Sequence, residues 1–171
     1  MQTPGEVAVA FVAAKTRVAP LKALSIPRLE LQAAVMGSRL AKTVKEEIQL
    51  SISSTVYWSD SWTVISWIRS DSRRYQQFVS HRLGEILESS EVVDWRWVPT
   101  DENVADEATR MNKQSEFRPD CRWFQGPAFL REKESSWPKE KEIPEVGKEE
   151  LKKEFVHVIS ISEVPDYVPD I

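Results

Sequence analysis

The chain has 171 residues, 41% of them hydrophobic, enough for about one domain with a buried core. Its 23 basic and 27 acidic residues leave a net charge of -4, which excludes a uniformly basic nucleic-acid clamp. A single cysteine, Cys121, excludes an internal disulfide framework and a multi-cysteine zinc site, and reads as structural or inert. No apolar run approaches membrane-spanning length and the N-terminus lacks a signal-peptide pattern. These features predict a soluble, non-secreted, intracellular protein, cytoplasmic or nuclear, with no membrane partner.

In chain order, the valine-rich stretch 6–18, EVAVAFVAAKTRV, predicts a first strand. A proline-bearing loop comes next. From Pro27 onward Leu29, Ala33, Met36, Leu40, Val44 and Ile48 recur at steps of three and four, which predicts a long amphipathic helix with Pro27 in its first turn. Residues 54–59, STVYWS, predict a second strand, and residues 63–69 a short helix. Phe78, Val79, Leu83, Ile86 and Leu87 give the period of another helix. In 92–99, Val93, Trp95 and Trp97 alternate on one strand face and Pro99 ends it. Residues 101–110 begin with turn formers and continue as a short helix. Alternating strands and helices predict an α/β layer architecture.

The pattern decays after about residue 112. The organisation expected is a domain over 1–112, an aromatic segment over 113–138, and a charged, solvated tail over 139–171. Within that tail VHVISI has strand character and no visible partner.

Three acids stand out by position. Asp60 comes just after the strand 54–59, where open α/β sheets place their chemistry, although a helix N-cap is the commoner role for an acid there. Glu30 lies near the start of the long helix, where an anion also suits the dipole. Asp106 sits in the short helix after 92–99, beside Asp101, Glu102 and Glu107, and reads equally as a solvated residue. Carboxylates are the ligands that hard divalent cations require, and paired ions can activate water in phosphodiester cleavage. Arg69, Arg73 and Arg74, near a helix end, suit phosphate contact as well as they suit a solvated terminus. The seven tryptophans read first as core, and as base-stacking surfaces second.

The blocks AAKTRVAPLKALSIPRLELQAAVMGSRLAKTV, YWSDSWTVISWIRSDSRRYQQFVSHRLGEI and WRWVPTDENVADEATR resemble the RNase H-like region of BEL/Pao-type retrotransposon Pol polyproteins. The resemblance runs from about residue 7 to 138 and includes WFQGPAFLREKESSWP. It implies an RNase H-like mixed sheet with flanking helices and cleavage of the RNA strand of RNA–DNA hybrids with Mg²⁺ or Mn²⁺. The glutamate of PRLELQAA, Glu30, and the aspartates of WSDS and NVADEATR, Asp60 and Asp106, match the family's acidic metal ligands. It implies reverse transcriptase and integrase regions of the same polyprotein as partners, and hybrid or other nucleic acid as ligand.

The chain departs from that family in one main respect. The run F-x-D-A-S, which carries the family's first-strand aspartate, does not occur here, so the first two strands are expected to be missing. Two departures are smaller: VPTDEN lacks the histidine of many RNase H proteins, and Trp62 stands where similar chains often carry a basic residue. The resulting expectation is a weakly active or inactive endonuclease. The alternative is a non-catalytic nucleic-acid-binding or protein-interaction remnant of a transposable element, with no cofactor.

Overall fold

The computed structural model describes residues 7–107, 118–140 and 150–152. Helix α1 spans Ile26–Glu47, with Pro27 in its first turn, where a missing N–H costs nothing. Strand β1 is Tyr57–Ser59, helix α2 is Trp62–Arg69, helix α3 is Gln77–Ser89 and strand β2 is Trp95–Trp97. The two strands pair in parallel, Tyr57 opposite Trp95 and Ser59 opposite Trp97. A parallel pair requires a long crossover, and α2 and α3 supply it. Both strands therefore point the same way, and the chain leaves each of them at one shared end of the sheet.

The core lies between this ladder and the three helices. It contains Leu31, Ala34 and Val35 of α1, Val64, Ile65, Trp67 and Ile68 of α2, and Val79, Leu83 and Ile86 of α3, with Tyr57, Tyr75 and Trp95. The face of α1 differs from the predicted one. Leu31, Ala34, Val35 and Ser38 are buried, while Ala33 is exposed and Leu29, Met36, Leu40, Val44 and Ile48 are half-buried. Both sets obey a helical spacing. The buried set carries small residues, which let α1 and α3 approach closely, and the Ser38 hydroxyl is satisfied by donating to the Val35 carbonyl at 2.9 Å.

Other expectations shift similarly. The expected strand at 6–18 is absent: the described part, residues 7–18, has no regular element and leaves Val7, Val12 and Val18 exposed. Strand propensity forms a strand only where a neighbour completes the ladder, and the described sheet holds only β1 and β2. Instead Phe11 packs on Trp123 and Phe124, with ring centroids 5.4 and 5.8 Å away. The predicted mixed sheet is, among the described residues, a two-stranded parallel one, compatible with an α/β class. Val93 is 76% exposed because Val92–Asp94 form a 3₁₀ turn rather than strand. The predicted VHVISI strand lies outside the described residues.

The segment 118–140 lies against the sheet. Phe129 is buried and packs edge-on to Trp58 at 5.1 Å, and Trp137 lies 5.7 Å from Trp58. Arg96 pairs with Glu134 at 2.6 Å, and Arg69 pairs with Glu140. No helix among the described residues is long and apolar enough to cross a membrane.

A 3₁₀ turn at Ser72–Arg74 joins α2 to α3 and is capped by Asp71, whose carboxylate accepts from the Arg73 amide at 3.0 Å. The Arg73 guanidinium on the same carboxylate holds its pKa down to about 2, from an ordinary 3.8. A depressed carboxyl stabilises the turn above its unfolded pKa and loses that effect as pH falls through the folded value. The protection factor of the Arg73 amide, relative to its intrinsic exchange rate, is therefore expected to fall between about pH 4 and pH 2, and Asp71→Asn should abolish that step.

Candidate functional site

The carboxyl ends of β1 and β2 gather the residues of interest. Asp60 directly succeeds β1 and Ser61 caps α2, its Oγ accepting from the Val64 amide at 3.2 Å. The cap role expected for Asp60 therefore belongs to Ser61, which leaves the Asp60 carboxylate for tertiary contacts. Ser61 is buried, and its hydroxyl donates to Glu30 Oε2 at 2.6 Å. Glu30 lies past the first turn of α1, so its partner is this hydroxyl rather than the helix terminus where an anion suits the dipole. One serine thus ties α1 to the end of β1.

Asp106 closes a 3₁₀ turn, Val104–Asp106, which begins at Asn103. The Asn103 side-chain amide donates to Asp60 Oδ1 at 3.0 Å and to Asp106 Oδ1 at 3.3 Å. Its carbonyl oxygen accepts from the Ala105 amide at 3.3 Å, which fixes the amide's orientation. Glu30, Ser61, Asp60, Asn103 and Asp106 form a continuous chain of neighbours across about three elements, the arrangement that parallel strands favour at their carboxyl ends.

Two indoles flank this chain. Trp62 stacks on Trp97 with centroids 4.7 Å apart and planes 13° from parallel, and Trp97 Nε1 donates to the Asp60 carbonyl at 3.1 Å. Both rings are half-buried, so neither is the closed core residue that tryptophan statistics favour. The Trp97 hydrogen bond and the Asn103 bridge hold Asp60 from opposite parts of the residue, backbone and side chain.

The three arginines do not converge. Arg69 ends α2, and its guanidinium bonds Glu140 and the Trp95 carbonyl at the outer edge of β2. Arg73 is strongly exposed and paired with Asp71 at 2.8 Å. Arg74 is half-buried, and its carbonyl accepts from the Lys152 amide at 3.0 Å. Sequence reasoning missed Ser61, Asn103 and Trp97 as parts of the site. Asn103 had a signal, since an Asn three residues before an acid after a turn is an N-cap pattern; the tertiary reach of its amide had none.

The donor chemistry of Asp60 and Asp106, two carboxylates meeting at one partially positive NH₂ group, fits a hard divalent cation as a pair. Glu30 does not join them, because its carboxylate is drawn to Ser61. Among the described residues no group of three His, Cys, Asp or Glu side chains is arranged to hold a metal ion.

Ser61→Ala removes both the cap and the Glu30 partner. It is expected to lower stability by about 0.5–2 kcal/mol, read as a shift in the urea midpoint, and Ser61→Thr should recover most of the loss.

Residues 1–61 match the family model described as the Pao retrotransposon-like RNaseH-like domain, so Glu30 and Asp60 fall within the match. No curated protein and no solved structure matches the chain.

Proposed function

We propose, from a Pao-type retrotransposon RNase H-like region that includes Glu30 and Asp60, that this chain is a portion of a Pol polyprotein acting on RNA–DNA hybrids. The observation that carries the reading is the Asn103 bridge, which unites Asp60 and Asp106 at the carboxyl end of the parallel pair. Asp60 and Asp106 would hold Mg²⁺ or Mn²⁺. Such an ion supplies Lewis-acid polarisation of a phosphate oxygen and lowers the pKa of its water. Glu30, held by Ser61, stays linked to the pair only through the residue next to Asp60. Trp97 fixes the strand end from behind. Arg73, exposed beside the α2–α3 turn, contributes phosphate attraction from the surface. Reverse transcriptase and integrase regions of the same polyprotein are its partners in this reading, and the setting is intracellular.

Cleavage is weak in this reading, since Glu30 stands outside the carboxylate pair. The same feature favours a second reading, a module that binds nucleic acid without cutting it. A labelled RNA–DNA hybrid incubated with the folded chain and Mg²⁺ separates them. Slow cleavage that disappears in Asp60→Asn supports the endonuclease. Binding without cleavage in both proteins supports the second reading, and neither binding nor cleavage overturns both.

A further inference from the structure

Residues 139–155 are mostly charged, and their composition predicts a solvated linker. Glu150, Leu151 and Lys152 nevertheless lie against the body of the protein, with Leu151 bridged to Tyr75. The Glu150 carbonyl accepts from the Gln76 amide at 2.8 Å, and the Lys152 amide donates to the Arg74 carbonyl at 3.0 Å. Leu151 thereby forms an antiparallel bridge with Tyr75, and its side chain packs on the core between these two bonds. The Glu150 carboxylate takes the Arg28 guanidinium in both oxygens, at 2.7 and 2.9 Å, and is only 11% exposed.

Each contact selects a different property of the incoming segment. The backbone pair at Arg74 and Gln76 requires an extended chain, as in strand addition. The two-pronged guanidinium requires a planar carboxylate. The slot beside Tyr75 requires an aliphatic side chain. The surroundings are cationic: Arg28 and Arg82 both lie over the Phe78 ring, at 4.7 and 3.5 Å from its centroid. Helix α1 has no side-chain cap at Ser25, and the Arg28–Glu150 clamp adds a tertiary contact to the backbone bonds that Arg28 and Leu29 make to the Ser25 carbonyl.

We propose that the groove between the Arg74–Gln76 backbone and the first turn of α1 is a recognition site for an extended peptide carrying Glu followed by an aliphatic residue, filled here in cis by Glu150–Lys152. The groove is separate from the Asp60–Asp106 pair, and its occupancy does not depend on nuclease activity. Because Arg28 lies two residues before Glu30, seating the segment also steadies the helix start that presents Glu30.

The test is amide hydrogen exchange at Gln76 and Lys152 in the full chain, at concentrations where sedimentation gives a monomer. Slow exchange at both amides is expected, and Glu150→Gln should raise both rates by about tenfold or more, the loss expected for a charge-assisted pair. A synthetic peptide of sequence GKEELKKE, added in excess to Glu150→Gln, should restore protection at Gln76, and a scrambled peptide should not. Equal exchange in wild type and Glu150→Gln overturns the clamp. Failure of the peptide to restore protection overturns the recognition site. Protection that appears only in a dimer overturns the cis assignment and gives the groove to a second copy.

Discussion

Trp95→Ala is expected to destabilise the chain by about 3–5 kcal/mol, the range for removing a buried aromatic. Trp95 is 3% exposed and stacks on Tyr57, its partner across the parallel ladder, with centroids 4.6 Å apart and planes 11° from parallel. Its Nε1 donates to Ser90 Oγ at 2.9 Å, and that hydroxyl donates to the Ile86 carbonyl at 2.7 Å. One side chain therefore joins β2 to β1 and to the end of α3. With domain stabilities near 5–15 kcal/mol, its loss consumes much of the total. Urea unfolding followed by circular dichroism gives the value. Val93→Ala, at a largely exposed position in the adjacent turn, should stay within about 0.5 kcal/mol. Similar losses for both variants would contradict the placement of the core.

The second large effect is at Asn103. Groups that orient metal-binding carboxylates typically cost 10–100-fold in metal affinity or activity when removed. Asn103→Ala is expected to lower hybrid cleavage by about that factor, because Asp60 and Asp106 lose the donor that holds them at one point. Asn103→Asp is the sharper variant. It keeps the size and places a third carboxylate between the first two, so it should weaken folding at low ionic strength through like-charge repulsion and recover in salt. An Asn103→Ala protein with unchanged cleavage and unchanged stability would mean that the bridge plays no part in the site.

Much of the helical framework is legible from spacing alone, and the limits of legibility have physical causes. Helix α3 shows Val79, Leu83 and Ile86 on one face, and the structure buries those residues. In α1 the apolar residues occupy two adjacent stripes. Local spacing does not choose between them; the choice falls to Ala34 and Ser38, whose small size suits packing against α3. The valines of 6–18 have strand propensity, but a strand is a property of a pair, and no described strand offers them a ladder. The acids are legible as positions, through the strand end at Asp60 and the turn at Asp106. Their wiring is not, because the Ser61–Glu30 and Asn103–Asp60 bonds span 31 and 43 residues. Asp60 itself illustrates the difference: a cap pattern does mark this helix start, but the capping residue is the next one, Ser61. The Glu150–Arg28 clamp, across 122 residues, leaves no local trace at all.

The most direct test of a cation held between Asp60 and Asp106 is a Mn²⁺ titration of the ¹⁵N-labelled chain, observing the Asn103 side-chain amide and the Trp97 indole N–H. Both groups bond Asp60, so an ion held by Asp60 and Asp106 lies close to both. Selective broadening of these two signals is expected at substoichiometric Mn²⁺, competed by Mg²⁺ and lost in Asp60→Asn with the fold intact. Uniform weak broadening that is identical in Asp60→Asn would contradict it, leaving Asn103 as a structural bridge between two carboxylates that hold no cation.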